Sequence, residues 1–211
     1  MNILLVTAMD KEYDIILKAK EKGSISKDRI FLMKTGIGKV NAAGSLSEFL
    51  ASADHIDRVI SVGCAGAAVS SLNVGDIVIG NSYCYHDVYC GEPNENGQVQ
   101  GLPSVFPSSF MWIKGIENYK LGAIASGDWF VNSREKIESI INFLPKPYNI
   151  CAIDMESAAL AQVCYKKGIE FTSIRIISDN PLLPKQKEQY DNFWDKIAEK
   201  VFDELYKILT V

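Results

Sequence analysis

Short apolar runs recur along the chain: "NILLVTA" (residues 2–8), "RIFLMKT" (29–35), "DRVISVGCAG" (57–66), "LGAIAS" (121–126), "NICAI" (149–153) and "FTSIRIISDN" (171–180). They are continuous rather than alternating, which predicts strands covered on both faces of a sheet. "VGDIVIGNSYCYHD" (74–87) is also strand-like, rich in β-branched residues after Gly75-Asp76. Between the runs lie segments of helical pattern: residues 11–20, 41–52, 133–143, the stretch "SAALAQVC" from Ser157, and an amphipathic helix over 189–209. Strands interleaved with helices predict an α/β fold with a mostly parallel sheet. Residues 91–116 are rich in Gly, Pro and Ser and predict a long loop with little regular structure. No repeat, low-complexity tract or interdomain linker divides the chain, so residues 1–211 read as a single domain.

Composition narrows the function classes. Hydrophobic residues make up 47% and charged residues 23%, the profile of an ordinary globular protein. The net charge of −4, without any basic run, argues against nucleic acid as a partner. The five cysteines are odd in number and form no C-x-x-C pair, which predicts reduced thiols in a cytoplasmic protein. Two histidines are too few for a histidine-rich metal site, and no cofactor motif is complete. The N-terminal apolar run ends in acids and lacks a basic leader, so it reads as a first strand. No run is long enough to span a membrane.

Acids and glycines gather where the strands end, the edge at which open α/β sheets bind ligands. The strand ends read "AMDKE", "GIGK", "GCAGA", "SGDWF", "DMES" and "SDN", with Lys11 and Lys39 the basic residues among them. Each has a bland reading. Glu12 could be a solvated first-turn acid, "GIGK" a simple turn, "GCAGA" a packing stripe and Asp179 a turn cap. Asp154 and Glu156 are harder to set aside, because two carboxylates interrupt a buried strand–helix junction and an unpaired buried charge is costly. Several carboxylates without a metal suit glycosidic bond cleavage, which needs an acid at the leaving group and a base for water. A ribosyl substrate adds a place for an ionised carboxylate accepting from two hydroxyls. Glu12, Glu156 and Asp179 could divide these jobs.

The segments "TAMDKE", "KTGIGKVNAA", "VGCAGA", "VGDIVI…YHD", "SGDWFV", "DMESAALAQVC" and "IRIISD" occur in one order over nearly the whole chain. In this the chain resembles the nucleoside phosphorylase and nucleosidase superfamily, and within it the 5′-methylthioadenosine/S-adenosylhomocysteine nucleosidases. The resemblance implies a three-layer α/β/α domain around a central mixed, mostly parallel twisted sheet. It implies hydrolysis of a 5′-substituted adenosine to adenine and the 5′-thioribose, without cofactor, by a homodimer. Glu12 would activate water and Asp179 would donate a proton toward N7 of adenine. Glu156 would hold the ribose hydroxyls, its ionised form favoured by the helix N-terminus, and Met155 would pack beside the sugar. Phe130 would stack on the base and the Val131 backbone would bond its edge. Ala8, Met9 and Ile37 would line the ligand, and Cys64 and Gly66 would lie near sugar and water. Tyr190 would close the 5′ pocket, and Arg175 and Ser178 would support Asp179. Alternatives are a purine nucleoside phosphorylase, a futalosine-type nucleosidase and a non-catalytic nucleoside-binding protein. The absence of Arg from "TAMDKE" and "VGCAGA" favours water over phosphate as nucleophile.

Overall fold

The computed structural model describes residues 1–22, 30–53, 55–112, 116, 118–146 and 148–209. Its strands are β1 (Ile3–Thr7), β2 (Ile30–Lys34), β3 (Arg58–Ala67), β4 (Ile77–Tyr85), β5 (Phe106–Pro107), β6 (Tyr119–Ser126), β7 (Ile150–Asp154) and β8 (Glu170–Asp179). Its helices are α1 (Asp10–Lys22), α2 (Lys39–Ser52), α3 (Arg134–Phe143), α4 (Ser157–Lys167), α5 (Gln186–Lys196) and α6 (Ala198–Leu209). Among its described residues, the long loop before β6 holds the two residues of β5 and one short 3-10 turn at Phe110–Trp112.

The eight strands form one sheet in the order β2-β1-β3-β7-β6-β4-β5, with β8 paired to both β3 and β4. Pairing is parallel for β1 with β2 and β3, for β3 with β8, and for β6 with β4 and β7. It is antiparallel for β3 with β7, β4 with β5 and β4 with β8. The sheet is thus mostly parallel, as the interleaved strands and helices predict, and mixed, as the resemblance implies.

Both faces are covered. Leu4 and Val6 of β1 pack with Ala42 and Leu46 of α2 and Ala158 to Cys164 of α4. Leu5, the residue between them, packs with Ile16 of α1, Phe193 of α5 and Phe202 of α6. Neighbouring side chains of one strand therefore enter opposite cores, the period-2 consequence of the pleat. Each fully buried aliphatic side chain contributes roughly 1.5–3 kcal/mol relative to exposure. Ser133 caps α3 by accepting the Lys136 N–H, and Gly168 ends α4 in the left-handed conformation.

One expected element is two. The amphipathic pattern over 189–209 predicts a single helix, but the chain forms α5 and α6 with a break at Ile197 (φ −116°). The reason is packing: Phe193 and Phe202 both enter the α1 side of the core, while α5 lies on β8 beside its carboxyl end and α6 lies along α1. A straight rod cannot follow both surfaces.

Candidate active site

At the end of β1 the chain turns through Ala8 and Met9 into α1, whose first turn carries Glu12. A first-turn acid ordinarily faces water, yet Glu12 is only 2% exposed. Its Oε2 accepts the backbone N–H groups of Ala8 (3.0 Å) and Met9 (3.1 Å). Its Oε1 accepts the N–H of Cys64 on β3 (2.9 Å). Gly63 makes this approach possible: a Cβ there would lie 2.9 Å from Glu12 Oε1 and 3.3 Å from Arg175 Nη1.

The two acids at the β7–α4 junction do different work. Asp154 caps α4, accepting the Ser157 N–H at 3.3 Å together with the hydroxyls of Ser157 and Ser126. Ser126 Oγ in turn accepts the Ala158 N–H (2.9 Å). Arg175, fully buried on β8, donates from Nε to Asp154 Oδ2 (2.7 Å) and from Nη1 to Ser61 Oγ (3.0 Å). Glu156 occupies the N-cap position, but its side chain makes no capping bond. It enters the cleft, where Oε1 accepts the N–H of Gly38 (2.9 Å). Gly38 presents that N–H from φ +92°, a backbone shape that side-chain-bearing residues resist.

Burial, and next the neighbouring Asp154 charge, push the Glu156 carboxyl up to about 8, although Arg175 and the Gly38 N–H pull the other way. This overturns the expectation that the α4 N-terminus keeps Glu156 ionised. A helix terminus contributes up to about 2 kcal/mol even in a partly buried geometry, or about one and a half pKa units at 1.36 kcal/mol each, whereas burial moves a carboxyl by up to about 3–5 units.

Asp179 ends β8 and is 2% exposed. Its Oδ1 accepts Ser178 Oγ (2.6 Å) and its Oδ2 accepts the Gln186 side-chain amide (2.7 Å). Burial raises its pKa, partly opposed by these two donors. Ser178 thus supports Asp179, but Arg175 does not. Arg175 neutralises Asp154, is absent from the cleft lining and is no candidate for direct ligand contact.

These elements meet in one cleft with about 720 Å³ of free space, its open mouth included. Ala8, Met9 and Glu12 come from the β1–α1 turn, Ile37 from the turn before α2, and Cys64 and Gly66 from β3. Phe130 and Val131 come from the loop after β6, Met155 and Glu156 from the β7–α4 junction, Ser178 and Asp179 from β8, and Tyr190 from α5. Phe130 and Tyr190 meet edge to face at 5.7 Å, a ring contact that frames the apolar wall. Sequence reasoning did not pick out Trp129, which also lines the cleft, nor Gln186 and Gly63. Trp129 had a signal, an aromatic pair directly after "SGD" at a strand end. Gly63 lies in "GCAGA", but nothing there says that Glu12 approaches it; Gln186 had no signal. The named lining side chains include no lysine or arginine. Among the described residues, no group of three or more His, Cys, Asp or Glu side chains is arranged to hold a metal ion.

A sequence profile of the phosphorylase superfamily matches residues 5–210. The chain belongs to the phosphorylase superfamily. Within this superfamily it is 33% identical, over its full length and 98% of the relative's, to a 5′-methylthioadenosine/S-adenosylhomocysteine nucleosidase from a Geobacillus species. A Bacillus thuringiensis protein of the same name is also 33% identical, over 99% of this chain and 98% of its own. Among solved superfamily structures, the Streptococcus pneumoniae nucleosidase bound to 8-aminoadenine superposes with a TM-score of 0.86 at 28% identity, covering 100% of this chain and 99% of that one. The Neisseria meningitidis nucleosidase in complex with methylthio-immucillin-A gives 0.83 at 28% identity, over 99% and 98%.

Proposed function

We propose that this protein hydrolyses the N-glycosidic bond of 5′-methylthioadenosine, S-adenosylhomocysteine or both, giving adenine and the 5′-thioribose. The observation that carries the reading is the convergence of Glu12, Glu156 and Asp179 on one cleft. Three backbone N–H groups fix Glu12 in place to bind and deprotonate the attacking water. Glu156, with one oxygen on Gly38, keeps acceptor capacity for the ribose 2′- and 3′-hydroxyls. Asp179, whose pKa burial raises against the pull of Ser178 and Gln186, is the group that gives a proton to N7 as the bond to adenine breaks. The sugar passes through an oxocarbenium-like transition state flanked by these carboxyl groups.

Phe130 and the Val131 backbone form the base wall; Met155 lies beside the sugar. Tyr190 closes the 5′ end. The lack of a cation among the named lining side chains supports water rather than phosphate as nucleophile. The protein works in the cytoplasm as a homodimer. Five unpaired cysteines support the first statement. Supporting the second, Ile37, Val40, Trp129 and Phe130 stand 49–81% exposed at and beside the mouth of the cleft, apolar surface that a second copy would cover.

The test is product analysis after incubation with methylthioadenosine, with and without phosphate. Adenine plus free methylthioribose, at a rate indifferent to phosphate, is expected. A sugar 1-phosphate that forms only with phosphate, or no product at all, would refute the reading.

A further inference from the structure

Lys39 begins α2, directly after the glycine whose N–H holds Glu156. Its ammonium donates to both oxygens of Asp87, each at 2.7 Å, and lies 3.9 Å from Asp128 and 5.4 Å from the centre of the Tyr85 ring. Its backbone N–H donates to Asp128 Oδ1 (2.8 Å). The Asp128 N–H donates to Asp87 Oδ2 (2.9 Å). The Lys39 and Asp87 side chains are 22% and 10% exposed, so this ion pair is largely desolvated. The contacts join three separate pieces of chain: the turn before α2, the end of β4, and the loop after β6. A Cβ on Gly38 would lie 3.0 Å from Asp128 Oδ1, so the turn and the loop touch closely.

The two outer pieces serve different halves of a nucleoside. The turn supplies Ile37 and the N–H that orients Glu156, the ribose-gripping group; the loop runs from Asp128 straight into Trp129, Phe130 and Val131, the base wall. Lys39 does not line the cleft. We propose that Lys39, clamped by Asp87 and Asp128, is a positioning residue that sets the sugar-binding turn and the base-binding loop at the spacing of one nucleoside. This rests on the nucleosidase reading above. A ligand with both halves gains from that spacing, because binding one half places the other at its subsite. A base alone can follow its wall when the wall shifts; a nucleoside cannot follow two walls that part.

The experiment is calorimetric titration of wild type, Lys39→Met, Lys39→Arg and Asp87→Asn with two probes, adenine and methylthio-immucillin-A. The quantity read is the ratio of the two dissociation constants. In Lys39→Met the advantage of the nucleoside analogue over adenine should shrink by about tenfold or more, the size of coupling between residues that share a network. Adenine itself should change by less than about threefold. Lys39→Arg, which keeps a cation able to engage two carboxylates, should restore part of the ratio. An unchanged ratio in Lys39→Met, an equal loss for both probes, or no rescue by arginine would overturn the proposal. Should Lys39→Met not fold, Asp87→Asn is read by the same criteria. A wild-type protein that binds neither probe would refute the nucleosidase reading and this proposal with it. A wild type that binds both, with variants of unchanged ratio, would refute the latch alone.

Discussion

At the floor of the cleft, Glu12 accepts three backbone N–H groups and Asp154 is bound by Arg175, Ser126 and Ser157. On the rim, Ile37, Trp129 and Phe130 are about half exposed. The floor is made of strand ends, and each desolvated charge there has partners in place before any ligand arrives. The rim is made of loops and one helix face, and its apolar surface waits for something to cover it. The contrast separates two tasks: fixed groups where charge develops, adaptable surface where ligands are told apart.

The largest expected effect breaks the floor. Arg175→Met removes the counter-charge of Asp154 while keeping an apolar side chain of similar length. Leaving one member of a buried pair unpartnered should cost about 3–5 kcal/mol of folding stability. Urea unfolding would measure it; a loss below about 1 kcal/mol, the range of surface pairs, would mean that Asp154 is not the charge Arg175 neutralises.

The next sharpens the difference within the floor. Among the described residues Glu156 has a single protein hydrogen-bond donor, and burial, with the Asp154 charge beside it, holds its carboxyl up to about 8 in the free protein. Ribose hydroxyls that donate to it favour the charged form, so a riboside should release protons on binding near pH 7 and adenine should not. Titration calorimetry in buffers of different ionisation enthalpy reads the number, and Glu156→Gln should abolish it. Equal proton release for riboside and adenine would contradict the assignment. The sign carries over to stability. A folded-state value above the unfolded one means that the folded state holds more protons between the ordinary carboxylate range and about 8, so this contribution is full below that window and is lost as pH rises through it.

The smallest effect lies on the rim. Trp129→Ala should leave stability within about 0.5 kcal/mol, as for exposed positions. It should raise KM less than about tenfold with kcat nearly unchanged. A large fall in kcat would place Trp129 with the floor.

The fold was legible wherever the signal is local. Continuous apolar runs marked the strands, and acids at strand ends marked the edge that holds the cleft. What was not legible depends on partners distant in sequence. Arg175 could be placed on a strand, but nothing in "IRIISD" says that it reaches back 21 residues to Asp154 rather than forward to Asp179. The break at Ile197 follows from two docking surfaces, not from the periodicity. The protonation of Glu156 depends on how deeply Asp154 and the cleft walls bury it, which a sequence does not state.

The central claim is that two strand-end acids divide the chemistry, Glu12 at the water and Asp179 at the leaving base. It is tested most directly by kcat for methylthioadenosine and Kd for methylthio-immucillin-A, measured side by side in wild type, Glu12→Gln and Asp179→Asn. The account predicts that kcat falls by ~10²–10⁴-fold in each variant, the usual contribution of a positioned acid or base, while both still bind the analogue. Turnover within about tenfold of wild type in either variant would contradict it, since a group that moves a proton in the transition state cannot be dispensed with so cheaply.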